Sequence, residues 1–170
     1  MKKIRFIVAI LIAFFTVEFA QAQNWDAATC ADICNIVADG GYNIDQVLQS
    51  QCGYTHVNNM NAGNDGYLAL YSRNARVDIN GNLNGLGNKG VSSIVMAYLS
   101  SGPCKIVISF FSTANAKVFR NQAYELGFKK TKEANNKSYY VLGNFGITEL
   151  TDKIGRFTSY QFAIEPLFMY

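Results

Sequence analysis

The sequence predicts an α+β fold: an N-terminal helical hairpin, a mostly antiparallel sheet, and one main helix packed on a face of that sheet. Three observations carry this reading. Residues 104–111, CKIVISFF, are apolar on both parities, as in a strand buried on both faces. The run that follows places Ala116, Phe119, Ala123 and Leu126 at helical spacing behind the caps Ser112 and Thr113, and Gly127 stands where a helix C-terminus favours positive φ. Residues 92–99 are again apolar on both parities, and Ser100-Ser101-Gly102-Pro103 turns the chain, so 92–99 and 104–111 are expected to pair antiparallel at the sheet centre.

In chain order, Lys2, Lys3 and Arg5 precede the apolar run Phe6–Val17 and the small-residue pattern Ala20-Gln21-Ala22. This is the pattern of a secretory signal peptide over residues 1–22, with Gln23 first after cleavage. Residues 23–170 then form a single exported domain, periplasmic or extracellular, with no further membrane span. Asp26 caps a predicted helix to Ala38, which Gly40 and Gly41 end. Asn43 and Gln46 resemble a capping box opening a second helix to Gln51, with Ile44, Val47 and Leu48 as its apolar stripe.

From Gly53 the period changes. GYTHV, YLALYS and ARVDI read as short strands, separated by glycine- and asparagine-rich loops at 58–66 and 80–90. After the main helix, 128–132, 138–142 and 158–165 read as strands with 146–152 as a less certain one, and residues 146–157 are ambiguous between strand and helix. The order of elements suggests a degenerate internal repeat, 34–101 against 104–165. Cys34-Asn35-Ile36-Val37 returns as Cys104-Lys105-Ile106-Val107, and Gly53-Tyr54 returns as Gly127-Phe128.

The precursor's net charge of +3 resides mostly in the signal, since the remainder carries 12 basic and 11 acidic residues. The charge is uneven: residues 23–103 carry −3 and 104–170 carry +4. A balance this small does not argue for nucleic acid. Lys105, Lys117, Arg120, Lys129, Lys130 and Lys132 form a candidate basic face for an acidic partner or polymer, although short lysine runs also serve to protect sheet edges.

Cys30, Cys34, Cys52 and Cys104 all follow the signal, so disulfides are the first expectation in an oxidising compartment. Folding 26–38 and 43–51 about residue 41 would bring Cys30 opposite Cys52 and leave Cys34 for Cys104. A Cys30–Cys34 bridge within one helix ranks last on geometry, and four reduced thiols are the alternative.

Motifs for catalysis are sparse. His56 is the one histidine, and the nucleophile-elbow, P-loop and zinc-protease patterns are missing from the sequence. Cys52 and His56 raise a thiol nucleophile as one hypothesis, with a bridged Cys52 as the competing reading. The segment Asp78–Asn84 alternates oxygen side chains as a calcium loop does, but Leu83 and Lys89 occupy positions where that loop needs glycine and glutamate. The expectation is therefore a non-enzymatic binding or interaction module without a cofactor, inhibitor-like or envelope-associated, whose partner is a protein or a cell-envelope polymer.

KIVISFFSTANAKVFRNQAYELGF followed by YYVLGNFG resembles the SPOR-type peptidoglycan-binding domain over residues 104–165. The matching positions are Phe110, Ala116, Leu126, Gly127, Tyr140, Val141, Gly143 and Phe145. The resemblance implies a βαββαβ sheet that binds glycan strands. Residues 146–157 lack the alanine-rich second helix of that pattern, and the N-terminal half lies outside it.

Overall fold

The computed structural model describes residues 25–63, 66–100 and 103–167. The predicted signal peptide and its cleavage site lie outside the described residues, as do Ser101 and Gly102 of the predicted turn and the last three residues of the apolar C-terminus. Among the described residues, ten strands and two α-helices form an α+β fold, with β1 (Thr55–Gly63), β2 (Gly66–Arg73), β3 (Ala75–Val77), β4 (Leu83–Leu86), β5 (Ser93–Leu99), β6 (Lys105–Phe110), β7 (Lys129–Ala134), β8 (Lys137–Leu142), β9 (Phe145–Ile154) and β10 (Phe157–Pro166). Helix α1 spans Cys30–Ala38, a π-helical turn spans Gln46–Gln51, and helix α2 spans Thr113–Glu125. Eight strands make one antiparallel sheet in the order β1-β2-β5-β6-β10-β9-β8-β7, and β3 pairs with β4 separately.

Both expected central strands are present and paired. Val95 lies opposite Ile108 and Ala97 opposite Ile106. Ile106, Ile108 and Phe110 are fully buried on one side of β6, while Val107 and Ser109 are buried on the other. The segment 146–152 resolves as strand: β9 pairs with β10 along its whole length, from Phe145 opposite Pro166 to Ile154 opposite Phe157. Its β-branched Ile147, Thr148 and Thr151 suit a pleated surface better than a helix.

The helical layer covers one face only. Phe119 of α2 packs on Phe110 and Phe162, with ring centroids 5.2 and 4.9 Å apart. Ala116 and Ala123 are buried beside it, which lets the helix approach the sheet closely. Leu126, expected on this face, is 41% exposed because the helix ends there and Gly127 turns away at φ +100. Phe128 then drops into the core.

The N-terminal helices form as a pair, with altered ends. Thr29 caps α1 in place of Asp26, through a reciprocal box with Asp32: the Thr29 hydroxyl accepts from the Asp32 amide and the Asp32 carboxylate accepts from the Thr29 amide. Asp26 instead clasps the sheet, taking hydrogen bonds from the Val91 amide at 2.8 Å and from Arg73 at 3.1 Å. The Asn43–Gln46 box does not form. The Asn43 side-chain oxygen is buried without a partner, and the second helix widens into a single π turn that still buries Val47 and Leu48. The run 58–66, expected as loop, is mostly strand, because Asn58–Gly63 completes the β1–β2 hairpin.

The order of elements is alike on the two sides of β6. Each helical segment feeds an antiparallel meander that begins at an outer edge and ends beside β6: β1-β2-β5 on one side, β7-β8-β9-β10 on the other. Gly53 and Gly127 both have positive φ, and the aromatic after each, Tyr54 and Phe128, is buried. The cysteine match belongs to no such equivalence, since Cys34–Val37 is helix and Lys105–Val107 is strand.

Candidate binding surfaces

Strand alternation sorts the side chains of the large sheet into a helix-covered face and an open one. On the open face, Val107 and Lys105 of β6, Gln161 and Ala163 of β10, and Thr148 and Leu150 of β9 line a shallow groove of about 480 Å³, closed at its ends by Tyr98 and Lys137. Lys105 pairs with Glu165 at 3.0 Å within this face. The other end of the same face is covered. The loop after β3 sits over β1 and β2, with the Asn58 side-chain Nδ2 donating to the Ile79 carbonyl at 2.7 Å and Gly81 resting against Met60 and Leu70.

The six residues of the expected basic face divide between the two sides of the sheet. Lys129 and Lys132 stand opposite Val141 and Tyr139, on the parity shared with Lys105, so these three point to the open face. Lys130 lies opposite Tyr140, on the helix side, where Arg120 and the exposed Lys117 project from α2. Lys137 belongs to the open-face set through its pairing with Leu150; spacing in the sequence could not assign it, because the side depends on register across β8 and β9.

On the helix side, α2 leaves the outer part of β7, β8 and β9 uncovered. Arg120, Tyr124, Tyr140 and Glu149 bound a polar cavity of about 590 Å³ there, which opens toward Lys130 and Ser138. Glu149 is buried and charged. Arg120 donates to it from two nitrogens, through Nε at 2.9 Å and through Nη2, and the Tyr140 hydroxyl donates at 2.7 Å. Burial works against the Glu149 charge, but the bonds from Arg120 and Tyr140 outweigh it and hold the carboxyl below its usual range. Tyr140 is pushed well up by burial and by its bond to that carboxylate.

None of the four cysteines is in a disulfide. The expected Cys30–Cys52 and Cys34–Cys104 pairs fail for a helical reason. Residues two apart on α1 point in nearly opposite directions, so the side chain facing Cys52 is Asp32, at 3.9 Å, while the Cys30 end of the helix meets Gln122 of α2. Cys104 Sγ lies against Gly41, beyond the end of α1. Cys30 and Cys34, one turn apart, contact each other: their shared hydrogen bond and burial raise Cys30 strongly, and the same bond lowers Cys34. Burial pushes Cys52 and Cys104 each up to about 11.

No thiol–imidazole pair is assembled at Cys52, since the His56 ring bonds Asn59 at 2.9 Å and packs on Tyr71. The Asp78 loop satisfies itself, its carboxylate accepting from the Asn80 and Asn82 amides, both at 2.9 Å, as in an Asx turn. Among the described residues no three His, Cys, Asp or Glu side chains converge as a metal site would require, and no helix is long and apolar enough to cross a membrane.

Comparison of the chain with known protein families, with curated proteins and with solved structures finds no match. Within 104–166 the elements run β6-α2-β7-β8-β9-β10, so β9 stands where the SPOR-type order would place a second helix.

Proposed function

We propose that this chain is an exported, non-enzymatic binding module that receives an extended, acidic partner, protein or envelope polymer, on the open face of its sheet. The observation that carries this reading is the one-sided fold. The helices lie on the opposite face, while Lys105, Lys129, Lys132 and Lys137 share the uncovered part of this one with an apolar strip formed by Val107, Leu150 and Ala163. Lysines flanking an apolar floor give a partner both steering and contact area.

The test is capture from envelope and culture fractions by the wild type and by the Lys105→Glu/Lys137→Glu variant. A partner retained by the first and lost at least about 10-fold by the second, a difference near 1.4 kcal/mol, supports the reading. Equal capture, or saturable turnover of a substrate by the protein, argues against it. Fractionation of cells for the processed chain checks export.

A second reading, glycan-strand binding of the SPOR kind, is favoured by one observation: 105–142 folds as strand, helix, strand, strand, with Gly127 at φ +100 ending the helix. Co-sedimentation with purified peptidoglycan, with and without its stem peptides, separates the two. Absence of binding to either preparation ends the second reading.

A further inference from the structure

The cavity on the helix side has no part in the open-face reading and differs from it in chemistry. Its walls come from two elements of different kind: Arg120 and Tyr124 from α2, and Lys130, Ser138, Tyr140 and Glu149 from the outer strands. Its floor is built rather than incidental. Glu149 is only 7% exposed, and it is held by Arg120 and by Tyr140, which is itself only 2% exposed. The Tyr124 ring packs edge-on against Tyr140, with centroids 5.7 Å apart, yet remains 45% exposed at the mouth.

Charge narrows the ligand. An anion approaching Arg120 and Lys130 meets the carboxylates of Glu149 and Glu133, and a cation approaching those carboxylates meets the guanidinium and the ammonium. The walls therefore balance, and neither sign of ligand gains much. A neutral ligand with many hydroxyls is suited to this set, because each hydroxyl both donates and accepts. The Glu149 oxygens and the hydroxyls of Ser138 and Thr151 can accept, and Arg120 uses only two of its five N–H groups on Glu149. Tyr124 adds an aromatic surface with a polar tip, against which the apolar side of a ring can lie. The volume, about 590 Å³, falls within the roughly 300–1,000 Å³ of small-ligand sites.

We infer that this cavity binds a neutral sugar ring, with the Arg120–Glu149 pair hydrogen-bonding neighbouring hydroxyls and Tyr124 stacking on the ring. The site is independent of the open sheet face and stands or falls separately from it.

The experiment is an NMR titration of the protein with glucose, galactose, mannose and fucose, each up to about 50 mM, alongside glucuronate and glucosamine as charged analogues; a single ring in an open site is expected near 1 mM, about −4 kcal/mol. The expected result is saturable binding of at least one neutral sugar with shifts at Tyr124, Ser138 and Thr151. Tyr124→Ala, at a position 45% exposed, should weaken it at least about 5-fold while the amide spectrum away from the cavity stays unchanged, and Ser138→Ala should weaken it less. Lys137→Glu, on the opposite face, should leave it unchanged. No saturable binding by any neutral sugar, tighter binding of either charged analogue, or binding indifferent to Tyr124→Ala would each overturn the inference.

Discussion

The two halves of the molecule are built alike and finished differently. Each runs from a helical segment through Gly-aromatic into an antiparallel meander that closes against β6. The N-terminal half sets its π turn beside β1, sends α1 across β6 and β10 to meet α2, and drapes the β3–β4 hairpin and its loop over the other side of β1 and β2. Polar ties hold that layer down: the Tyr54 hydroxyl and Ser93 are 2.6 Å apart, Tyr71 donates to Asp45 at 2.9 Å, and Arg73 reaches Asp26. The C-terminal half has one helix and no hairpin cover, and it carries the positive end of the charge distribution. The uncovered surfaces therefore lie mainly on the C-terminal strands: the loop after β3 covers only β1 and β2 on the open face, and on the helix side α1 and α2 stop short of the outer strands.

The sharpest way to break this comparison is to cut the shared core where the C-terminal half's Gly-aromatic step fills it. Phe128→Ala removes a ring with 2% exposure and should destabilise the protein by about 3–5 kcal/mol, read by urea denaturation. Tyr54→Phe at the matching position keeps the ring and loses the hydroxyl's buried hydrogen bonds to Ser93 and the Ala28 amide, so it should cost less, about 1–3 kcal/mol. An equal loss from both would contradict the view that one half relies on apolar filling where the other adds a polar tie.

Next in size is Glu149→Gln, which unpairs Arg120 and weakens the Tyr140 bond, for an expected loss of about 1.5–3 kcal/mol at neutral pH. Its pH dependence has a defined sign. The folded carboxyl sits below its ordinary 4.5, so the unfolded chain binds the proton more readily. The contribution is complete above the unfolded value and disappears as pH falls through the folded one. Stability curves of the wild type and Glu149→Gln should accordingly lie furthest apart above pH 4.5 and draw together as the pH falls below it.

Smaller effects follow at the helix caps. Ser112→Ala should cost about 1 kcal/mol, and Thr29→Ala slightly more, because Thr29 belongs to a reciprocal box and Ser112 makes a single bond to the Asn115 amide. The smallest change in stability, within about 0.5 kcal/mol, is expected for Lys137→Glu at its exposed site on the open face. Thiol labelling of the native reduced protein sharpens the contrast from another side: the half-buried Cys34, whose pKa is lowered, should react before Cys30 and Cys104, which are buried and raised.

Legibility followed the range of the interactions. The strands 93–99 and 105–110 and the helix 113–125 were readable because their apolar period and end signals lie within a few residues of one another. The ambiguous 146–152 became strand because β8 and β10 flank it, a fact no local window holds. Asn58–Gly63 was misleading for the opposite reason: asparagine and glycine are turn formers, and pairing with β2 overrode them. The cysteine pairing failed on orientation, since counting positions about a turn ignores that Cys30 and Asp32 point away from each other on α1.

Of the candidate sites, the lysines could be found in the sequence but not their sides, and Glu149 drew no notice. Its only local signal is a carboxylate at an inward position of an alternating strand, and that signal requires knowing that 145–154 is a strand.

By itself the sequence determined the α+β class, the central strand pair, the main helix with its glycine stop, and the skew of charge between the halves. These depend on period, capping and composition, which act between near neighbours. Only the tertiary structure decided which face of the sheet stays open, which lysines share it, and that Arg120, Tyr140 and Glu149 meet over a cavity. Those outcomes depend on strand order and register, where a shift of one residue exchanges the two faces, and nothing short of the assembled sheet sets them.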